Sequence, residues 1–316
     1  MKQKNKRILI TGGAGYIGSM LSTHLVNCGY VVTVIDNFSF TYDSLNHLYS
    51  KDNFHFIEGD VNNKKLIKKL VKQNDIVIPL AALVGAPLCE KNKNLAIKLN
   101  IDSIKLILSS LNKKQKIIYL TTNSGYGIGE KSKYCDETSP LNPVSLYGIT
   151  KNKAEELVRK INKNYICFRL ATVFGFSFRM RTDLLVNNFV YRALFKKKLD
   201  IFEPNFRRNF IHISDVIKCI EYSIKNFNSL KNNVYNLGLS NANITKLRLA
   251  RLIKKKIPSC KIKIIKNASD PDKRDYFVSN KKIEKMGFKA TKSLESGIVE
   301  LINVFKKNNI IIKNNY

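Results

Sequence analysis

The run Thr11-Gly12-Gly13-Ala14-Gly15-Tyr16-Ile17-Gly18 constrains this chain more than any other stretch. It follows an apolar run, Ile8-Leu9-Ile10, that reads as a strand. It precedes apolar residues at helical spacing, Met20, Leu21, Leu25 and Val26. Three glycines at i, i+3 and i+6 between a strand and a helix suit a dinucleotide pyrophosphate. Gly12 permits the tight turn, Gly15 admits the phosphates to the backbone, and Gly18 lets the helix sit close to the sheet. The helix start, with Tyr16 and Ile17 in its first turn, offers N–H groups and a positive dipole end to an anion. The next apolar run, Val31-Val32-Thr33-Val34-Ile35, ends in Asp36 and Asn37. An acid about 20 residues beyond the glycines accepts from a ribose 2′-OH and repels a 2′-phosphate, so the pattern predicts NAD rather than NADP.

Strand-like segments at 7–11, 31–35, 53–57, 75–79, 116–121 and 165–169 alternate with helical ones at 15–27, 42–49, 62–72, 93–111 and 146–162. This rhythm predicts an α/β fold, a Rossmann-type doubly wound parallel sheet with helices on both faces. Ligands of such sheets lie at the carboxyl ends of the strands. Those ends carry Thr11, Asp36, the Gly59-Asp60-Val61 turn, Leu80-Ala81-Ala82, Thr121-Thr122 and Leu170-Ala171-Thr172. Beyond 172 the rhythm loosens, with helices expected near 183–197, 214–226, 244–256 and 294–306. Residues 1–172 are therefore read as the dinucleotide-binding domain. Residues 173–316 are read as a smaller C-terminal substrate-binding lobe, interleaved with the sheet rather than independent. Met1–Lys6 reads as a polar lead-in, and the end around Ile310-Ile311-Ile312 as a frayed tail.

The net charge is +31, and only 11 of the 55 basic residues are arginine. An NAD-binding regulator that contacts nucleic acid would use such an excess. The lysines, however, are scattered in pairs such as Lys64-Lys65 and Lys306-Lys307 on polar helix faces, and arginine, the better reader of bases, is scarce. A solvated surface with no nucleic-acid partner is the expectation, and its charge would still draw in an anionic substrate. The six cysteines contain no C-x-x-C pair, which fits reduced thiols in a cytoplasmic protein. No 18-residue apolar run is present, so no membrane partner is expected. His24 occupies a helix face without a visible partner cluster, and no metal is expected. Asp215 is read as a helix N-cap, and His212 as packed rather than catalytic.

Tyr147 and Lys151 stand at i, i+4, on one face of a predicted helix. In so lysine-rich a chain the spacing says little alone. The context carries it, because the helix follows a strand ending in Thr121 and Thr122. A phenol, an ammonium and a hydroxyl at that edge, beside a nicotinamide, suit oxidation of an alcohol. Tyr147 would take the O–H proton, with its phenolate favoured by the Lys151 ammonium and the cationic ring. Thr122 would fix the substrate oxygen, and Lys151 would also hold the nicotinamide ribose.

The segments T-G-G-A-G-Y-I-G, Asp36, G-D-V at 59–61, L-A-A at 80–82, T-T-N-S-G-Y-G at 121–127, Y-x-x-x-K at 147–151 and R-R-N-F-I-H-I-S-D-V at 207–216 occur in this order. Together they resemble the extended short-chain dehydrogenase/reductases of the nucleotide-sugar epimerase/dehydratase family, over residues 7 to about 305. The resemblance implies bound NAD, a nucleoside-diphosphate sugar, and hydride abstraction from sugar C4. It implies cofactor contacts at Asn37, Asp60, Val61, Leu80, Ala81, Ala82 and Asn100, besides the residues above. It also implies a homodimer through a four-helix bundle made by 93–111 and 146–162 of each subunit.

Within that family, dehydratases carry Asp-Glu after the catalytic threonine, and decarboxylases a Glu at the second of those positions. Here they are Asn123 and Ser124, neither an acid, and both read as substrate contacts together with Thr172. Stretches 80–89, 122–131, 168–175, 179–187 and 270–276 resemble the GDP-D-glycero-D-manno-heptose 4-dehydrogenases, which favours a GDP-sugar. A UDP-hexose C4 epimerase using the same residues is the alternative. A diphosphate is best met by arginine forks. Arg208 and Arg274 fall where the family binds diphosphate, Asn187 matches a substrate-contacting Asn, and Arg179 and Arg181 are further candidates for phosphate or polar sugar.

Overall fold

The computed structural model describes residues 6–40, 43–130, 133–161, 163–265 and 274–307. The expected lead-in before Lys6, the 270–273 part of the Arg274 motif and the tail around Ile310 lie outside the described residues.

The strands, in chain order, are β1 (Arg7–Thr11), β2 (Val31–Asp36), β3 (Phe54–Glu58), β4 (Ile76–Pro79), β5 (Lys116–Thr122), β6 (Tyr134–Cys135), β7 (Tyr165–Leu170), β8 (Thr172–Phe174), β9 (Lys198–Ile201), β10 (Arg207–His212), β11 (Asn233–Leu237), β12 (Asn243–Thr245), β13 (Lys261–Ile264) and β14 (Phe277–Val278). Seven of them form a parallel sheet in the order β11-β7-β5-β4-β1-β2-β3. All six strands expected from the sequence are in it. The seventh, β11, comes from the second half of the chain and pairs with β7 from Asn233 opposite Ile166 to Leu237 opposite Leu170. Smaller sheets, β12-β10-β8, β13-β9 and β14-β6, build the lobe beyond.

The sheet is covered on both sides, and its inner strands are apolar on both faces, as such sheets require. On β1, Ile8 and Ile10 belong to one core, and Leu9 to the other. The first helices are α1 (Tyr16–Asn27) and α2 (Lys64–Lys72). The helix expected at 42–49 is a short 3₁₀ segment, Asp43–Leu48. The helix expected at 93–111 starts earlier and is broken into α3 (Ala86–Lys91), α4 (Lys93–Ile97), a π turn over Lys98–Asp102, and α5 (Ser103–Ser110). The buried Asn100 amide sits in that π turn, where Nδ2 donates to the Leu83 carbonyl and Thr150 Oγ1 at 3.0 Å each, and Oδ1 accepts from Leu83 N at 2.8 Å. Then follow α6 (Leu146–Ile161), α7 (Leu185–Phe195) and α8 (Ile213–Lys225). The N-cap of α8 is His212, whose ring accepts from Ser214 N at 3.2 Å. Asp215 instead sits inside the first turn, with its carboxylate accepting from Thr291 N and Lys292 N. It ties α8 to the segment before the last helix rather than capping.

Helix α6 is held by charge as well as by apolar contact. Ala154 and Val158 pack in the core beneath the sheet. Between them Glu155 meets Arg169 of β7 in a two-pronged ion pair, Nη2 to Oε1 at 2.7 Å and Nε to Oε2 at 3.1 Å. Both side chains are almost fully buried. Burial alone would lower the Arg169 pKa, but the hydrogen bonds and charge of Glu155 outweigh it and raise it. Breaking a buried pair by removing one charge costs about 3 kcal/mol or more. Glu155→Gln is therefore expected to lower unfolding stability by about that amount in urea titrations, and the double change Glu155→Leu with Arg169→Met by clearly less. Equal losses would show that the pair does not hold the helix.

Candidate active site

The strand order reverses between β1 and β4, and the site is built at that switch point. Gly12 leaves β1 with φ +71°, and a Cβ there would press on Ala81 N at 2.5 Å. A Cβ on Gly18 would overlap the Gly12 carbonyl oxygen, so this glycine lets α1 lie against the turn. At Gly15 the nearest neighbour of such a Cβ is the Gly12 oxygen at 3.1 Å, and the position is otherwise open. No side chain caps the start of α1, which leaves the first turn suited to an anion.

A cavity of about 440 Å³ opens over this turn. It is lined by Gly12, Gly15, Tyr16, Ile17 and Gly18, by Leu80 and Ala82 after β4, by Thr121, Thr122 and Ser124, and by Tyr147 and Lys151 of α6. The lobe adds Thr172, Arg179, Arg181, Arg208, Lys246 and Arg274. The three residues expected to do chemistry thus share one wall with the glycine turn. Tyr147 is hydrogen-bonded to Thr122. The Thr122 hydroxyl lies 2.8 Å from Ser124 Oγ and accepts from Ser124 N. Arg274 Nη1 donates to Ser124 Oγ in turn. Phenol, two hydroxyls and a guanidinium therefore form a continuous hydrogen-bonded series. Lys151 Nζ lies 4.3 Å from the centre of the Tyr119 ring.

Burial acts on both members of this pair in the chain alone. It pushes the Tyr147 phenol up to about 12, against the lowering effects of Arg274, Arg181 and the Thr122 hydrogen bond. It pushes the Lys151 ammonium down to about 7, with the nearby Glu155 carboxylate opposing. The positive charges that favour the phenolate are thus those of Arg274 and Arg181, and desolvation outweighs them. Both groups gravitate to their neutral forms in the chain alone.

Asp36, Asn37, Asp60, Val61, Ala81, Asn100, Asn123 and Asn187 do not line the cavity. The Asp36 carboxylate accepts from Ala14 N and Phe38 N, each at 2.9 Å, stapling the glycine turn to the end of β2. Asp60 Oδ1 accepts from Asn62 N at 2.8 Å, closing its own turn. The Asn187 amide accepts from Gly175 N at 3.1 Å and donates to the Arg181 carbonyl at 2.9 Å, bracing the 175–181 loop. Arg181 already holds the Asp183 carboxylate, and both are buried. Arg208 Nη1 donates to the Arg207 and Arg274 carbonyls, while Arg207 grips Asp275 through Nε and its backbone N–H, both at 2.8 Å. These contacts lock the Arg274 segment onto the lobe. The buried polar groups without a hydrogen-bond partner among the described residues include the Thr121 hydroxyl, the Asn123 amide, and Nε and Nη2 of Arg179. Thr121 and Arg179 line the cavity, and an unpaired buried polar group there fits a site completed by a ligand. The glycine turn and these groups together fit a dinucleotide.

Away from the cavity, His24 is not alone on its helix face. Its Nε2 lies 2.7 Å from Glu221 Oε2 and 3.6 Å from Cys28 Sγ. All six cysteines are free. Among the described residues no helix is long and apolar enough to cross a membrane.

The model of the NAD dependent epimerase/dehydratase family matches residues 8–238. A putative UDP-glucose 4-epimerase of Methanocaldococcus jannaschii is 27% identical over 96% of this chain and 99% of its own length. UDP-glucuronic acid decarboxylase 1 of Xenopus tropicalis is 28% identical over 97% of this chain and 73% of its own. Among solved structures, UDP-glucuronic acid 4-epimerase from Bacillus cereus, in complex with UDP-glucuronic acid and NAD, aligns with a TM-score of 0.84 at 27% identity, covering 95% of this chain and 99% of that one.

Burial of Lys151 ties stability to pH. With a folded pKa of about 7 against about 10.4 unfolded, the unfolded state holds more protons between those values, so this group adds stability as pH rises through that window. Cofactor-free protein should therefore melt at progressively higher temperature, relative to Lys151→Met, between about pH 7 and pH 10. Parallel melting curves for the two proteins would contradict the burial of this ammonium.

Proposed function

Because the chain belongs to the NAD dependent epimerase/dehydratase family, we propose that it oxidises C4 of a nucleoside-diphosphate sugar and reduces it again from the other side, inverting that carbon. The hydrogen-bonded series Tyr147–Thr122–Ser124–Arg274 on the cavity wall carries this reading. When bound, NAD supplies the acceptor and later the donor of the hydride. The chain's residues handle the proton and the geometry. Tyr147 Oη takes the proton of the C4 hydroxyl as its carbon is oxidised, and returns it on reduction. Thr122 Oγ1 holds that same oxygen in place. Ser124, in the grip of Arg274, presents a hydroxyl where elimination or decarboxylation chemistry would want a carboxyl, which speaks for simple oxidation. Arg208 and Arg274 are read as the diphosphate ligands. Positive charge brought beside Tyr147 by the oxidised nicotinamide would draw the phenol down from about 12.

The relatives named as UDP-sugar 4-epimerases favour a UDP-sugar and return of the hydride. A second reading rests on the stretches 80–89, 122–131, 168–175, 179–187 and 270–276. It is net 4-dehydrogenation of a GDP-linked heptose, the reduced cofactor being cleared by a second small molecule. Incubation with UDP-glucose, UDP-glucuronate and GDP-heptose separates the two, because an epimer without net oxidation supports the first and an accumulating 4-ketone the second. No product from any of them would contradict both. Tyr147→Phe should keep nucleotide-sugar affinity and lose turnover by about 10²-fold or more; retained turnover would remove Tyr147 as the base.

We further infer a homodimer through α4 and α6. Leu95, Ile97 and Ile149 are large apolar side chains left 42–50% exposed on these two helices, the kind of surface a partner covers. Ile149→Glu should shift the protein to monomer in light scattering with its far-UV circular dichroism intact. An unchanged mass would place any interface elsewhere.

A further inference from the structure

We propose that Arg179 is a phosphate ligand on the cofactor side of the crevice, reaching over from the lobe to close the pyrophosphate site opposite the glycine turn. The proposal rests on the dinucleotide reading of the cavity and reassigns an arginine that sequence order places with the substrate.

Three observations carry it. The first is an unmatched charge. Arg179 is 3% exposed, lines the cavity, and leaves Nε and Nη2 without a hydrogen bond. Its charged neighbours are Asp36, Asp183 and Arg181. Asp36 accepts from two backbone amides, and Asp183 is held by Arg181. What remains for Arg179 is the face of the Phe40 ring, 4.7 Å from the guanidinium carbon, a weak substitute for an anion. Burial pushes its pKa down to about 10, which still leaves it charged at neutral pH. A buried guanidinium with empty donors is costly unless an anion completes it.

The second observation is position. Residues 175–179 are tied to the start of α1. Tyr16 Oη donates to the Gly175 carbonyl at 2.8 Å, and Ser177 Oγ donates to the Tyr16 carbonyl at 2.7 Å. Ser177 Oγ also lies 3.1 Å from Ser19 Oγ and accepts from Arg179 N at 3.2 Å. The backbone of Arg179 is therefore anchored two links from the helix end that offers itself to a phosphate. Phe178 packs against His47, ring centres 4.2 Å apart and planes tilted by 35°, which ties the loop to the 3₁₀ segment after β2.

The third is a division of labour. Diphosphates are the anions this crevice is built for, and they come from two sources, cofactor and sugar nucleotide. Arg274 is engaged at Ser124, and Arg208 at the Arg274 carbonyl, on the Thr122 side. Arg179 is beside Phe40 and Asp36, at the end of β2. One diphosphate falls to each group.

The test compares wild type with Arg179→Met and Arg179→Lys, each stripped of cofactor, by calorimetric titration with NAD, ADP-ribose, adenosine and UDP. The account expects NAD and ADP-ribose to bind Arg179→Met at least tenfold more weakly, partial rescue by Arg179→Lys, and unchanged affinity for adenosine and UDP. It also expects cofactor-free Arg179→Met to melt above wild type, because the unmatched charge is gone, while its NAD-induced rise in melting temperature shrinks. Unchanged NAD affinity, an equal loss for adenosine, or a loss confined to UDP would overturn the assignment. Failure of the wild type itself to bind NAD would instead overturn the dinucleotide reading on which it stands.

Discussion

The ion pair between Glu155 and Arg169 sets the rotation of α6, and the site depends on that rotation. Tyr147, Lys151 and Glu155 follow one another at four-residue steps and share one face of the helix. Pinning Glu155 to Arg169 on β7 aims the same face along the neighbouring strand, where Lys151 meets the Tyr119 ring and Tyr147 meets Thr122. An apolar contact at 155 would hold the helix to the sheet without prescribing its angle, because hydrophobic attraction is non-directional. A two-pronged pair prescribes it.

The same economy of position runs through the rest of the crevice. Gly12 and Gly18 allow β1, β4 and α1 to meet within backbone contact, which leaves the α1 end bare of side chains. The lobe then supplies what the sheet lacks. Its arginines arrive on segments locked by Asp275, Asn187 and Ser177 rather than on free loops. Donors held in place in this way lose little freedom when an anion arrives.

Local pattern made the opening glycines, six of the seven strands of the large sheet and the Tyr147–Lys151 helix legible, since each depends on residues within a few positions of one another. What escaped it depends on distant partners. Asn100 and Asn187 look like ligand contacts along the chain, and in space one supports a π turn and the other braces the 175–181 loop. Strand β11 is short, mixed in polarity and paired only through a partner 67 residues earlier. No periodicity in the segment marks it. The protonation balance of Tyr147 and Lys151 in the chain alone was hidden for a related reason. Spacing gives adjacency, whereas burial, which decides the sign of both shifts, is a property of the whole fold. His24 likewise finds Glu221 across a sequence distance that no local motif spans.

The central claim is that Tyr147, Thr122 and the glycine turn converge so that C4 of a sugar faces the redox end of a bound dinucleotide. Its most direct test is isotopic. A nucleotide sugar deuterated at C4 is mixed with the protein for one turnover, and the bound cofactor and the product are separated and weighed by mass spectrometry. The account predicts deuterium carried from C4 to the cofactor, and in an epimerising turnover back to C4 of the inverted product. Product in which the deuterium of C4 has been lost to solvent would contradict it.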